Sequence, residues 1–182
     1  MAIVFVRHGE NEANRRERMT FLAPGASLTD LGFRQAEELA DALASLKVAA
    51  VYTSPLLRAE QTARVLADRR GLTPAVRAGL AELVVPELEG APLAQGLAAL
   101  GPAWHAWVAA GDLAYRPFPR SESGQEVLAR FLAVVAEVAA AHPDAAENAG
   151  EDVLVVGHGG LFQLCLPVAC ANLADRHGQD NP

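Results

Sequence analysis

Two short apolar runs, Ile3-Val4-Phe5-Val6 and Val153-Leu154-Val155-Val156, each lead directly into a histidine-glycine pair. Arg7-His8-Gly9-Glu10 follows the first and Gly157-His158-Gly159-Gly160 the second. Continuous apolar runs of this length, bounded by turn residues, read as strands buried on both faces, here over 2–6 and 152–157. Val48-Ala49-Ala50-Val51-Tyr52 supplies a third, over 48–53. Elsewhere the apolar spacing lengthens to that of a helix. In 30–46, Ala36, Leu39, Leu43 and Leu46 share a face, with Thr29 as N-cap and Asp30 in the first turn. A second helix is expected over 55–70, with Ser54 as N-cap and Pro55 as first helical residue, closed by Arg69, Arg70 and Gly71. A third covers 123–142, where Ser123 and Glu126 form a capping box and Val127, Phe131, Val134, Val135 and Val138 line one stripe. Buried strands alternating with amphipathic helices predict an α/β fold, a three-layer α/β/α arrangement around a mainly parallel sheet.

The stretch 84–120 breaks this rhythm. It is rich in proline, carries both tryptophans and reads as a loop-rich insertion with a short helix near 94–110, placed to act as a lid or specificity element. Trp104 and Trp107 are expected on one side of that helix, packed on the core. A polar stretch from Asp144 to Asp152 reads as a loop before the last strand.

At 182 residues the chain suits one domain, 1–182, large enough to bury a substantial core. A formal net charge of −7 argues against nucleic-acid or anionic-membrane binding, which draws on surplus Lys and Arg. An anion site must then be a local basic pocket. No apolar stretch reaches the ~18 residues that span a bilayer, and the first residues enter strand one without a leader pattern. A cytoplasmic protein is expected. Cys165 and Cys170, five apart in an expected helix, read as buried thiols, neither a redox pair nor metal ligands.

In an open α/β sheet, ligands bind beyond the carboxyl ends of the strands. Two of the three expected strands deliver His8 and His158 there. The third is followed by Arg58 in the first turn of a helix, where unpaired N–H groups and a planar guanidinium fork together favour an anion. Arg7, Arg58 and the two histidines describe a phosphate site.

VRHGENEAN at 6–14, LTDLGFRQA at 28–36, VYTSPLLRAEQTA at 51–63 and VVGHGG at 155–160 resemble, in that order, the histidine phosphatase superfamily in its phosphoglycerate mutase-like branch. The resemblance spans residue 2 to about 165. It implies a phosphoglycerate mutase-like fold and phosphoryl transfer through a phosphohistidine. His8 would be the nucleophile, and Arg7, Arg58, His158, Asn14 and Gly159 would surround the phosphoryl group. The family's acid segment matches Leu80 to Gly90, which makes Glu82 the proton donor. Pro86 and Leu88 stand where relatives commonly carry glycine and an aromatic residue, and Glu87 and Glu89 remain alternative donors. Arg120-Ser121-Glu122-Ser123 resembles a Gly-Glu-Ser segment with its glycine replaced, and Gly157 stands where Ser, Thr or Ala is usual. The chain ends at Pro182, where relatives continue into further sheet-edge structure.

A neutral imidazole is a competent nucleophile near neutral pH, so neither metal nor other cofactor is expected. The expected partner is a small phosphorylated substrate, with no nucleic acid and no membrane, and self-association as a homodimer stays open. A phosphomonoester hydrolase is preferred to a mutase, whose branch has a longer chain and a Tyr-Gly where Val85-Pro86 stand. It is also preferred to an idle module that binds a phosphorylated ligand, which would not need the nucleophile. His105, His142 and His177 lack motif context and read as surface or packing residues. The cluster Arg15, Arg16 and Arg18 reads equally as a solvated helix face or as a contact for an anionic substrate.

Overall fold

The computed structural model describes residues 2–142 and 151–170. The greater part of the expected 144–152 loop and His177 lie outside them. Four strands form one parallel sheet in the order β1-β4-β2-β3: β1 (Ile3–Arg7), β2 (Lys47–Thr53), β3 (Ala75–Val76) and β4 (Glu151–Gly157). The three expected strands are present. The two-residue edge strand β3 is too short to leave a periodic signal.

Helices cover both faces, as a parallel sheet with two apolar sides requires. On one face α2 (Asp30–Ala42) and α3 (Leu57–Asp68) pack through Ala40, Ala59, Ala63 and Leu66 against Val6, Val51, Leu154 and Val156. On the other, α4 (Leu93–Trp104), α5 (Gly124–Ala141) and α6 (Gly159–Ala169) close over Val153 and Val155 with Leu100, Phe131, Leu161 and Phe162. A four-residue helix, α1 (Glu12–Arg15), follows β1. Among the described residues no helix is long and apolar enough to cross a membrane.

The predicted caps form where the side chains allow. Thr29 accepts from Gly32 N at the start of α2, and Ser123 with Glu126 makes the reciprocal capping box of α5. The start of α3 differs from expectation. Ser54 Oγ accepts from Leu56 N, and the helix begins only at Leu57, whose N–H donates to Pro24 O at 2.7 Å. The helix starts two residues later than expected because Leu56 is still extended, with φ −84° and ψ 132°. The helix expected near 94–110 is α4, continued by a wider turn over His105–Ala109 that carries the Ala110 N to His105 O bond.

Trp107 is buried as expected, its indole N–H donating to Tyr115 O, over Gly124, where a Cβ would stand 2.8 Å from the ring. His142 packs on Tyr52 and bonds its hydroxyl. Arg15 and Arg16 pair with Glu12 at the surface, whereas Arg18 turns toward the cavity described below. Cys165 is fully buried, and burial pushes its thiol up to about 12.

Candidate active site

Adjacent parallel strands place the two histidines together. Arg7 pairs in register with Gly157, and Thr53 with Val156, so His8, Ser54 and His158 are each the first residue beyond a strand's carboxyl end. His8 N donates to Gly157 O and Ser54 N to Val156 O, both at 3.1 Å, which extends the ladder one step into the site. The ring centroids of His8 and His158 are 5.2 Å apart. Gly9 and Gly32 allow the His8 loop to lie on the first turn of α2. A Cβ at Gly32 would stand 1.9 Å from Glu10 O, and one at Gly9 2.5 Å from Gly32 O. Gly9 N is held by Thr62 Oγ1 from α3.

The proton on His8 can be located from its partners. Arg58 Nε lies 3.1 Å from His8 Nε2, and a guanidinium has only donors, so Nε2 is the acceptor. The proton then sits on Nδ1 and is donated to Gly9 O at 2.7 Å. Burial first, then the nearby Arg58 and Arg7 charges, lower the His8 pKa to about 4 against the opposing bond to Gly9 O. At neutral pH the ring is uncharged, with its lone pair on Nε2. Arg58 is itself nearly inaccessible, and burial lowers it to about 10, opposed by Glu82 and Glu89. It stays a cation. Its Nη2 donates to Thr20 O, while its buried Nη1 has no partner among the described residues.

His158 is wholly buried, and desolvation followed by the Arg58 charge lowers its pKa far below the ordinary histidine range. Its Nε2 lies 2.7 Å from Ser54 Oγ, which also accepts the Leu56 N–H, and its Nδ1 is buried without a partner among the described residues. Gly157 has a packing cause: a Cβ there would meet Phe162 Cζ at 2.7 Å.

Glu82 lies at the first turn of α6, the helix that follows His158. Its Oε1 accepts from Leu83 N and Leu161 N, both at 2.9 Å, and its Oε2 from Gly160 N at 3.2 Å. These bonds anchor the Glu82 side chain on the first turn of α6, whose leading N–H groups have no partner within the helix. The close approach requires Gly160, where a Cβ would stand 2.7 Å from Glu82 Oε1. The loop carrying Glu82 is stapled from α5. Arg130 donates to the carbonyls of Gly79, Ala81 and Glu82 and forms two bonds with Glu122, whose Oε2 also accepts Val84 N. Glu87 instead accepts Arg120 N, and Glu89 accepts Phe21 N and Leu22 N. Neither lines the cavity that holds Glu82.

That cavity, about 190 Å³, is bounded by Arg7, His8, Asn14, Arg58, Glu82 and Gly159 at one end. Six of the seven anticipated site residues thus share one cavity wall, and His158 sits behind His8. Asn14 Oδ1 is engaged by Asn11 in the capping box of α1, so its Nδ2 is the group left to donate. The sequence does not reveal the parts played by Ser54, Thr62, Thr20 O, Glu122 and Arg130, and Glu89, an alternative donor by sequence, instead fixes Phe21 and Leu22. The Glu122-Ser123 pair had been noticed only as a motif remnant, and the others act through contacts 38 or more residues away in the chain.

An uncharged imidazole whose Nε2 accepts from a buried guanidinium, beside Arg7 and an Arg58 Nη1 without a partner among the described residues, is equipment for handling phosphoryl groups. Residues 3–179 match the model of the histidine phosphatase superfamily, branch 1, and the chain belongs to that superfamily. It is 33% identical over 175 residues to the glucosyl-3-phosphoglycerate phosphatase of Mycobacterium tuberculosis H37Rv, covering 92% of this chain and 77% of that one. The solved mycobacterial glucosyl-3-phosphoglycerate phosphatase superposes with a TM-score of 0.75 at 32% identity, over 91% and 77% of the two chains. Bacillus stearothermophilus YhfR superposes at 0.76 with 26% identity, over 99% and 84%. A further match, to a PE-PGRS family protein of Mycobacterium tuberculosis H37Rv, is 39% identical over 93 residues and spans half of this chain but only 16% of that protein. The family together with the matches over most of both lengths makes the chain a phosphatase.

Proposed function

We propose that the protein hydrolyses small phosphomonoesters through a covalent phosphohistidine on His8, with no metal or other cofactor. The observation that supports this reading is the 3.1 Å contact of Arg58 Nε with His8 Nε2, which makes Nε2 the nitrogen with the lone pair and so our candidate for the nucleophilic atom. An incoming phosphoryl group draws the donors of Arg58 onto its oxygens and releases the Nε2 lone pair. Arg7, Arg58 Nη1, Asn14 Nδ2 and the Gly159 N–H hold the equatorial oxygens, and positioning with charge stabilisation lowers the barrier. If the Ser54 hydroxyl donates to His158 Nε2, the His158 proton sits on Nδ1 and serves as one more neutral donor.

His8 Nε2 bonds to phosphorus as the bond from phosphorus to the leaving oxygen breaks, and that oxygen takes a proton from Glu82. Oε2 is the available atom, since it carries one N–H donor where Oε1 carries two. Water then attacks the phosphohistidine, Glu82 accepts its proton, and phosphate leaves with His8 neutral again. We read 1–182 as one domain, 84–120 as its specificity element and the cytoplasm as its location, where the free thiols Cys165 and Cys170 suit a reducing compartment. Homodimer formation belongs to the same proposal. Rapid quench with ³²P-labelled substrate should trap an acid-labile, alkali-stable phosphoenzyme that His8→Ala abolishes, and EDTA should leave phosphate release unchanged. Full turnover in His8→Ala would overturn the mechanism.

A further inference from the structure

The cavity has a second end unlike the first. α4 presents Leu93, Leu97, Leu100 and Trp104, spaced four, three and four residues apart, as one stripe along the wall, and Met19 and Phe21 line the same cavity from the segment after α1. Leu93 and Leu97 remain 36% and 54% exposed, so this apolar surface is not consumed by the core.

The wall is preformed. Met19 N and O pair with Ala91 O and Gly90 N, Leu93 N donates to Glu17 O, and Gly96 lets Met19 lie where a Cβ would stand 2.5 Å from Met19 Cγ. Arg18, Thr20 and Gln163 are polar side chains that line the cavity beside these residues. Arg18 Nη1 is engaged by Gly90 O at 3.2 Å, and Gln163 stands at the rim beside Trp104. A cavity of about 190 Å³ lies below the roughly 300–1,000 Å³ of pockets for drug-sized ligands, and the phosphoryl group occupies part of it.

Resting on the phosphatase reading above, we infer that the α4 stripe is a leaving-group subsite for a compact alcohol with an apolar or aromatic face. A polyhydroxylated leaving group of the same size would find Arg18, Thr20 and Gln163 as polar partners and would lay its remaining hydroxyls on leucine, losing hydrogen bonds to water there. Leu97 and Trp104 are the specificity-determining residues.

The test compares 2-phenylethyl phosphate with glycerol 1-phosphate, both primary alkyl esters, and with 3-phosphoglycerate, for wild type and Leu97→Asn. Leu97 is exposed enough for asparagine to leave folding intact, which circular dichroism checks. Wild type should favour the phenylethyl ester over glycerol 1-phosphate in kcat/KM by at least about tenfold. Leu97→Asn should bring that ratio close to one, chiefly by raising KM for the phenylethyl ester. Equal use of the two esters by wild type, or a ratio unchanged in Leu97→Asn, overturns the subsite while leaving a phosphatase. Preference for 3-phosphoglycerate over both makes Arg18 the determinant and also overturns it. Release of no phosphate from these esters or from p-nitrophenyl phosphate removes the hydrolase reading itself.

Discussion

The two ends of the one cleft are built by different means. At the phosphoryl end, His8 and His158 sit directly on strand ends, Arg58 is nearly inaccessible, and backbone ladders or buried hydrogen bonds hold each group. At the α4 end, half-exposed leucines lie on a helix that belongs to the 84–120 excursion. The polar end pays a desolvation cost to keep its imidazoles neutral and its cation unhydrated, and this preorganises it for a phosphoryl group. The apolar end bears no such cost. Substitutions at the first should therefore change chemistry, and substitutions at the second should change the choice of substrate.

The sharpest break in that contrast is His8→Ala. It should lower kcat by roughly 10⁴-fold or more, by analogy with removal of other nucleophiles, and should do so equally for every ester, measured as phosphate release. Arg58→Ala should cost about 10²–10³-fold. Arg58→Lys should recover little of this, because lysine keeps the charge but loses the fork that reaches His8 and Thr20 together. Wild-type kinetics in Arg58→Lys would mean that charge alone suffices at this end.

Glu82→Gln tests the boundary between the two ends. If Glu82 protonates the leaving oxygen, alkyl esters should slow by about 10²-fold while activated aryl phosphates stay near wild-type rates. A uniform loss for both classes would assign Glu82 only to anchoring the first turn of α6.

The smallest expected effect is on stability. The folded-state pKa of His8, about 4, lies below its ordinary 6.5. As pH falls through that window the unfolded chain takes up the proton first, so the contribution is fully present above 6.5 and is lost toward 4. The slope is at most about 1.4 kcal/mol per pH unit, or roughly 1–2 kcal/mol between pH 6.5 and 5. His158 acts in the same direction. The melting temperature should therefore drop between pH 7.5 and 5, and His8→Asn should flatten part of that drop. Leu97→Asn, at the other end of the cleft, should leave the pH dependence as it is.

The legibility of the sequence follows the same division. β1, β2 and β4 are continuous apolar runs and α2 and α5 carry local caps, so their positions could be read within a few residues. The histidines were legible because they sit immediately beyond such runs. α3 begins later than its Ser54-Pro55 signal because the Ser54 hydroxyl takes Leu56 N and Leu56 itself is extended. Trp104 and Trp107 look alike in sequence and both pack on the core, yet only Trp104 also lines the cavity.

The sequence by itself determined β1, β2 and β4, the long helices packed on them and the chemical types brought to the sheet's carboxyl edge, because hydrophobic period and capping act over a few residues. Only the tertiary structure decided which nitrogen of His8 is the acceptor, since that rests on Arg58 fifty residues away. It likewise decided that Glu82 is anchored on α6, that Arg130 staples its loop, and that the α4 leucines line the same cavity as His8 and Arg58. Each of these depends on long-range packing and burial. Those set hydrogen-bond partners and pKa values, and a linear pattern carries neither.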